Sequence, residues 1–306
     1  MRQVRPKKNL GQHFLTDLSI ARAIADTVDA CPDLPVLEVG PGMGVMTQYL
    51  VEKPRELKVV EIDRESVSYL KNTIFRGYEG TEVRGCENGI VADVESNLAP
   101  SHPRTPAPSN TTPAASSIIE GDFLRMDLTK VFDGRPFVLT GNYPYDISSQ
   151  IFFKMLDNKE LIPCCTGMIQ REVAQRMASA PGTKAYGILS VLIQAWYRVE
   201  YLFTVDEHVF NPPPKVKSAV IRMTRNDVTD LGCDERLFRR VVKTVFGQRR
   251  KMLRVSLRQL FAEGQPAAGF YEQPMMTRRP EQLSISEFVE LTNKVAEQLQ
   301  RAGTSD

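Results

Sequence analysis

Residues 35–62, PVLEVGPGMGVMTQYLVEKPRELKVVEI, decide the fold. The apolar run 35–39 has the length of a buried strand, and Gly40-Pro41-Gly42-Met43-Gly44 interrupts it. Val45 to Leu50 reads as helix, and 57–62 reads as the next strand. Strand, glycine turn, helix, strand is a βαβ unit. The spacing therefore predicts an α/β fold with a mostly parallel sheet, whose ligands sit beyond the carboxyl ends of the strands.

Three strand ends carry chemistry. The glycine turn lacks the lysine of a phosphate-binding loop and the full G-x-G-x-x-G pattern. Gly40, Gly42 and Gly44 still let backbone approach a ligand closely. Glu61 ends the second strand, where an acid can accept both hydroxyls of a ribose, with Asp63 as the neighbouring alternative. After the strand 118–120 comes Gly121-Asp122-Phe123. Asp122 can accept from an adenine amino group, and Phe123 can pack on or beside the ring. Each acid could instead only cap a helix or strand. Together they suit S-adenosylmethionine better than a dinucleotide. Asn142-Tyr143-Pro144-Tyr145 follows the apolar run 137–139. A carboxamide, a fixed backbone and a flat ring make a clamp for a planar nitrogenous group, although N-x-P-Y also suits an ordinary turn.

Outward from this centre, 16–29 reads as a helix capped by Asp17 or Thr16, and 65–75 as another. From 76 to 117 no period is visible, and 96–117 holds five Pro, five Ser and three Thr. This predicts a disordered surface insertion, with a domain boundary as the rival reading. Further on, 147–156 and 172–177 read as helices, and 164–170, 196–205 and 218–223 as strands. Residues 186–195 fit helix or strand, and their length favours helix. About seven strands then fill a first domain over 1–225. A helical second domain over 234–306 ends in a helix that Ser284 caps with Glu287. Residues 235–258 carry nine Arg or Lys against the single acid Glu235, a bias that suits phosphates as well as a solvated face.

The chain has 306 residues and a net charge of +2, so the basic segment is a local property. Five cysteines form no CxxC pair and there are three histidines, so no metal site is expected. No apolar run has membrane-spanning length, and a soluble cytoplasmic setting fits. The basic start, MRQVRPKKNLGQHFL, suits a polyanionic partner, with a transit peptide as the alternative.

The chain resembles the small-subunit ribosomal RNA adenine dimethyltransferases. Residues 11–15 (GQHFL), 37–44 (LEVGPGMG), 121–123 (GDF), 142–145 (NYPY), 170–176 (QREVAQR), 210–216 (FNPPPKV), 246–251 (FGQRRK) and 278–281 (RRPE) stand in that family's order. The resemblance implies a Rossmann-like methyltransferase domain and a smaller helical RNA-binding domain. It implies two successive N6-methylations, by S-adenosylmethionine, of two adjacent adenosines in a hairpin near the 3′ end of small-subunit rRNA. It assigns the donor to Asn9, Leu10, Gln12, Phe14, Gly40, Gly42, Gly44, Glu61, Ile62, Asp122, Phe123 and Asn142. It gives the acceptor to Asn142, Pro144, Tyr145 and Phe210, the last two stacking on an extruded base. Arg171, Arg176, Arg249, Arg250 and Lys251 are implied to meet RNA. The implied partner is the immature small subunit, bound by a monomer. His13 reads as packing of the N-terminal segment over the donor. The family's usual Leu and Asn are replaced by Tyr143 and Asp146. A large-subunit rRNA methyltransferase and a non-catalytic assembly factor are the alternatives.

Overall fold

The computed structural model describes residues 13–76, 116–261 and 266–303. Most of the expected insertion, and the expected donor residues Asn9, Leu10 and Gln12, lie outside the described residues. The chain begins with β1 (Phe14–Leu15) and α1 (Leu18–Asp26), whose first turn is closed by the Asp17 carboxylate accepting from Ser19 and Ile20 N–H. β2 (Val36–Val39), α2 (Thr47–Leu50), β3 (Leu57–Glu61), α3 (Arg64–Asn72), β4 (Ser116–Glu120) and β5 (Val138–Thr140) follow. Then come α4 (Ser148–Asp157), β6 (Cys164–Gln170), α5 (Arg171–Met177), α6 (Ile188–Gln194), β7 (Tyr197–Val205), β8 (Phe210–Asn211) and β9 (Ser218–Arg225).

Seven strands form one sheet in the order β4-β3-β2-β5-β6-β9-β7. The first five are parallel, and β9 runs antiparallel between β6 and β7. Every residue of β2 is buried, as expected of a strand covered on both faces. Strand order reverses between β2 and β5, so the loops after them part and leave a crevice, the switch point of an open α/β sheet. The helix expected from Val45 starts at Thr47, and the one expected to reach Phe75 ends at Asn72. Residues 186–195 are helical, as their length suggested.

The loop after β5 is pinned from below. Gly167 has φ +142°, and a methyl built there would strike the Gly141 carbonyl and the Tyr143 ring. The missing side chain lets Tyr143 lie against the backbone of two strands. Its ring meets Phe152 edge-on at 5.5 Å, and its hydroxyl donates to Thr166 O at 2.9 Å. The residue is 1% exposed, so its one polar atom is satisfied where water does not reach.

Beyond the sheet, α7 (Glu235–Gly247), α8 (Leu253–Ser256) and α9 (Ile285–Gly303) form the C-terminal helical region. Asp234 caps α7 through Leu237 N–H, and Ser284 and Glu287 exchange both capping-box bonds at the head of α9. One apolar core runs from Leu37 and Leu139 through Tyr186 and Ile193 to Val241, Phe288 and Val295. Tyr186, Phe246 and Phe288 carry it across in two successive ring contacts.

Denaturant unfolding should rank two variants. Gly167→Ala is expected to lose about 3 kcal/mol, because the new methyl meets backbone. Tyr143→Phe is expected to lose about 1 kcal/mol, for one buried hydrogen bond.

Candidate active site

The crevice is a cavity of about 280 Å³ walled by four strand ends. Glu38, Val39 and Gly40 to Met43 come from β2 and its turn, and Val60 to Ile62 from the end of β3. Gly121 to Leu124 follow β4, and Asn142 to Ile147 follow β5. His13, Phe14 and Leu15 close the top. Sequence neighbours tens of residues apart thus meet because parallel strands all end on one edge.

Glu61 reaches into the turn. Its carboxylate accepts from Gly42 N–H at 3.0 Å and from Asp63 N–H at 2.8 Å. Burial raises its pKa, against the pull of those N–H groups. Asp63 accepts from Glu65 N–H and the Ser66 hydroxyl, so it caps α3 and does not line the cavity. That decides between the two acids. Asp122 does both jobs, accepting from Leu124 N–H at 2.9 Å while bordering the cavity. Ile62 is an exposed apolar side chain at the mouth, and Phe123 is buried in the wall.

One acid was missed. Glu38 is 1% exposed, bonded by the Thr47 hydroxyl at 2.7 Å. Burial pushes its carboxyl up to about 8, with Thr47 opposing and Glu61 adding. The signal was an acid inside a four-residue strand with no room for a solvated face. The lining holds Glu38, Glu61, Asp122 and Asp146 and, among the described residues, no Lys or Arg. Such a wall repels phosphates and suits a ligand carrying positive charge.

Two expected site residues stand elsewhere. Gly44 faces away from the cavity: a side chain there would collide with Ile74 and Leu70, so its glycine serves the packing of α3. Phe210 is 4% exposed and packs with Leu15, Ile24 and Met168, because β1 pairs β8 with Leu15 opposite Phe210. The ring that faces Tyr145 is His13, stacked at 5.7 Å with 27° between planes. The Tyr145 hydroxyl shares a hydrogen bond with Ser218 Oγ. Asn142 forms an isolated bridge to Met168, and its Nδ2 donates to His13 O at 3.2 Å. Asp146 is exposed, and His208 lies outside the cavity.

The cations divide between a cleft and an outer face. Arg176 and Arg249 line a second cleft of about 960 Å³, with Lys184 and Glu281. There Arg176 pairs with Glu172 at 2.5 Å, and Arg249 donates to Thr183 O at 3.1 Å. Arg171, Arg250 and Lys251 are exposed outside it. Of the nine cations over 235–258, Arg239 is paired with Asp157 and Lys243 lies over Phe153. Arg236, Arg240, Arg250, Lys251 and Arg254 have no acidic partner among the described residues.

A parallel sheet with this switch point, an acidic nucleoside-sized cavity and an Asn-x-Pro-Tyr loop beside it define a Rossmann-like fold of the S-adenosylmethionine-binding methyltransferase class. The model of the family "Ribosomal RNA adenine dimethylase" matches residues 3–297, and the chain belongs to that family. A curated relative from Bacteroides thetaiotaomicron, Ribosomal RNA small subunit methyltransferase A, is 58% identical over 305 residues, spanning 100% of this chain and 99% of that one. Among solved structures, a dimethyladenosine transferase from Plasmodium falciparum aligns with TM-score 0.69 at 21% identity, covering 95% of this chain and 98% of that one. The 23S rRNA methyltransferase ErmE aligns with TM-score 0.57 at 23% identity, over 92% of this chain and 99% of that one. At these identities the two structures report the fold.

The Glu38 carboxyl carries a pH signature. Its folded pKa of about 8 exceeds the ordinary 4.5, so the folded state holds a proton that the unfolded chain releases between those values. Its contribution to stability is full below 4.5 and is lost as pH rises through 8. Melting curves of Glu38→Gln without donor should therefore decline less across this window than those of the parent.

Proposed function

We propose that the protein transfers methyl groups from S-adenosylmethionine to N6 of two adjacent adenosines in a hairpin near the 3′ end of small-subunit rRNA. The supporting observation is that the Asn142–Tyr145 loop and the acids Glu61 and Asp122 border one cavity. The acidic, cation-free lining fits the donor: S-adenosylmethionine bears a sulfonium and an ammonium and no phosphate. In this reading Glu61 holds the ribose hydroxyls, Asp122 the adenine amine, and Phe14, Ile62 and Phe123 the ring. Gly40 and Gly42 keep the turn low enough for backbone approach. Bound there, S-adenosylmethionine supplies an electrophilic methyl group.

The chain's own part is to present the acceptor nitrogen. An adenine N6 lone pair is delocalised into its ring and is a poor nucleophile. The Asn142 carboxamide oxygen and the main-chain oxygens around Tyr143 and Pro144 can accept its protons and favour a pyramidal nitrogen. Tyr145 supplies a flat face that offsets part of the unstacking cost. No strong base is needed before transfer, so alignment is the main contribution. Tyr143 belongs to the loop's anchor, not to the acceptor.

The small-subunit target follows the curated relative's printed name, which favours it over the large-subunit alternative. Arg171, Arg176, Arg249, Arg250 and Lys251 would meet rRNA phosphates, with Arg249 also tying the helical region to the loop before α6. A division near residues 225–234 into a methyltransferase domain and an RNA-binding domain, a monomer acting on immature small subunits, and a cytoplasmic setting belong to the same proposal.

Mass mapping of N6,N6-dimethyladenosine in small-subunit RNA incubated with the protein and S-adenosylmethionine tests it. Modification of large-subunit RNA instead, or of no RNA, would overturn the reading. Asn142→Ala is expected to bind the donor nearly as the parent does while methyl transfer falls on the order of a hundredfold. Unchanged turnover would remove Asn142 from the mechanism. Neutralising Arg249, Arg250 and Lys251 together should weaken RNA binding and flatten its dependence on salt, with up to about three units lost from the log–log slope.

A further inference from the structure

The His13 ring covers one face of Tyr145. It stacks there at 5.7 Å and 27°, and it borders the cavity beside Asn142. Nδ1 donates to Pro212 O at 2.8 Å, and the His13 carbonyl accepts from Asn142 Nδ2 at 3.2 Å. One residue therefore engages both the aromatic face and the carboxamide of the acceptor loop.

The two rings differ in how firmly they are held. Tyr145 follows a loop sealed by Tyr143, and its hydroxyl is tied to Ser218 on β9, so its plane is fixed. His13 precedes β1, which Leu15 and Thr16 anchor, whereas among the described residues the His13 ring itself is held by a single hydrogen bond, to Pro212 O. When a planar group competes for the Tyr145 face, His13 is the partner that can leave. The Asn142 amide is then released from the His13 carbonyl in the same movement.

We propose that the His13 ring is an internal occupant of the acceptor slot that the target adenine displaces, which makes His13 a positioning residue that sets the threshold for base entry. This rests on the reading of Tyr145 as the platform for the base. An adenine presents a larger face than an imidazole, so it can replace the stack and gain area. A poorly presented base cannot recover what the displaced ring loses. The loop also stays ordered before RNA arrives, because Asn142 and Tyr145 each already have a partner.

Steady-state kinetics on undermethylated small subunits provide the test. They are paired with 2-aminopurine fluorescence in subunits reconstituted with that base at the first target position. His13→Ala should lower KM for subunits by roughly three- to tenfold, the equivalent of one aromatic stack, and should raise the fluorescence of the extruded base. His13→Asn deletes the ring while keeping a polar side chain, and it should do the same should the alanine variant fold poorly. His13→Phe keeps a ring and should return KM to the parent value. Melting and calorimetric donor binding check that the variants are folded. A KM unchanged or raised in His13→Ala or His13→Asn, with Tyr145→Leu abolishing the fluorescence rise, overturns the role of His13 alone. Parent-level fluorescence in Tyr145→Leu overturns the platform reading and this inference together.

Discussion

The site depends on the seating of Tyr143 in the gap left by Gly141 and Gly167. Without Cβ atoms there, an aromatic ring can lie against the backbone of two neighbouring strands. Its hydroxyl closes on Thr166 O, so the ring cannot withdraw without leaving a buried carbonyl unpaired. Residues on either side of a fixed point have little freedom. Asn142 is held in a bridge to β6, and Tyr145 is carried to Ser218 on β9. The clamp is thus tied to core packing: the polar and aromatic groups at the rim flank a buried ring.

A net charge of +2 conceals two opposed surfaces. Among the described residues the cavity gathers carboxyl groups and no Lys or Arg, whereas α7 and the turn after it leave several cations without an acidic partner. Each arrangement would be costly in the other's place. Buried Glu38 and Glu61 hold protons more tightly than solvated acids do, which limits the repulsion between them. The outer cations are hydrated and cost little until a polyanion comes near. On the proposed reading, donor and acceptor are sorted by sign, with a cationic small molecule inside and an anionic polymer outside.

Much of this was legible because parallel strands and their loops are local. The βαβ unit, the glycine turn, Glu61, Asp122 and the Asn142 loop each follow from residues within one or two elements. What escaped depends on contacts that no short window contains. A glycine required by a ligand and one required by Ile74 and Leu70 look alike in sequence, so the place of Gly44 outside the cavity lining was not legible. The resemblance put Phe210 at the acceptor, but the register of β1 on β8, which joins residues almost two hundred apart, buries it. Glu38 was passed over because an acid between Leu37 and Val39 reads as one polar break in a strand. His13 was read as packing of the N-terminal segment over the donor, and its position on Tyr145 needed coordinates.

The place of β4 at the margin of the sheet has an evolutionary consequence. It is bonded to β3 on one flank, and among the described residues no strand pairs with its other flank. The registers of β2 on β3 and on β5 are set without β4. Lineages can therefore lengthen or trim the chain at this seam while selection holds the catalytic edge unchanged. Divergence in length among relatives is expected to collect between α3 and β4.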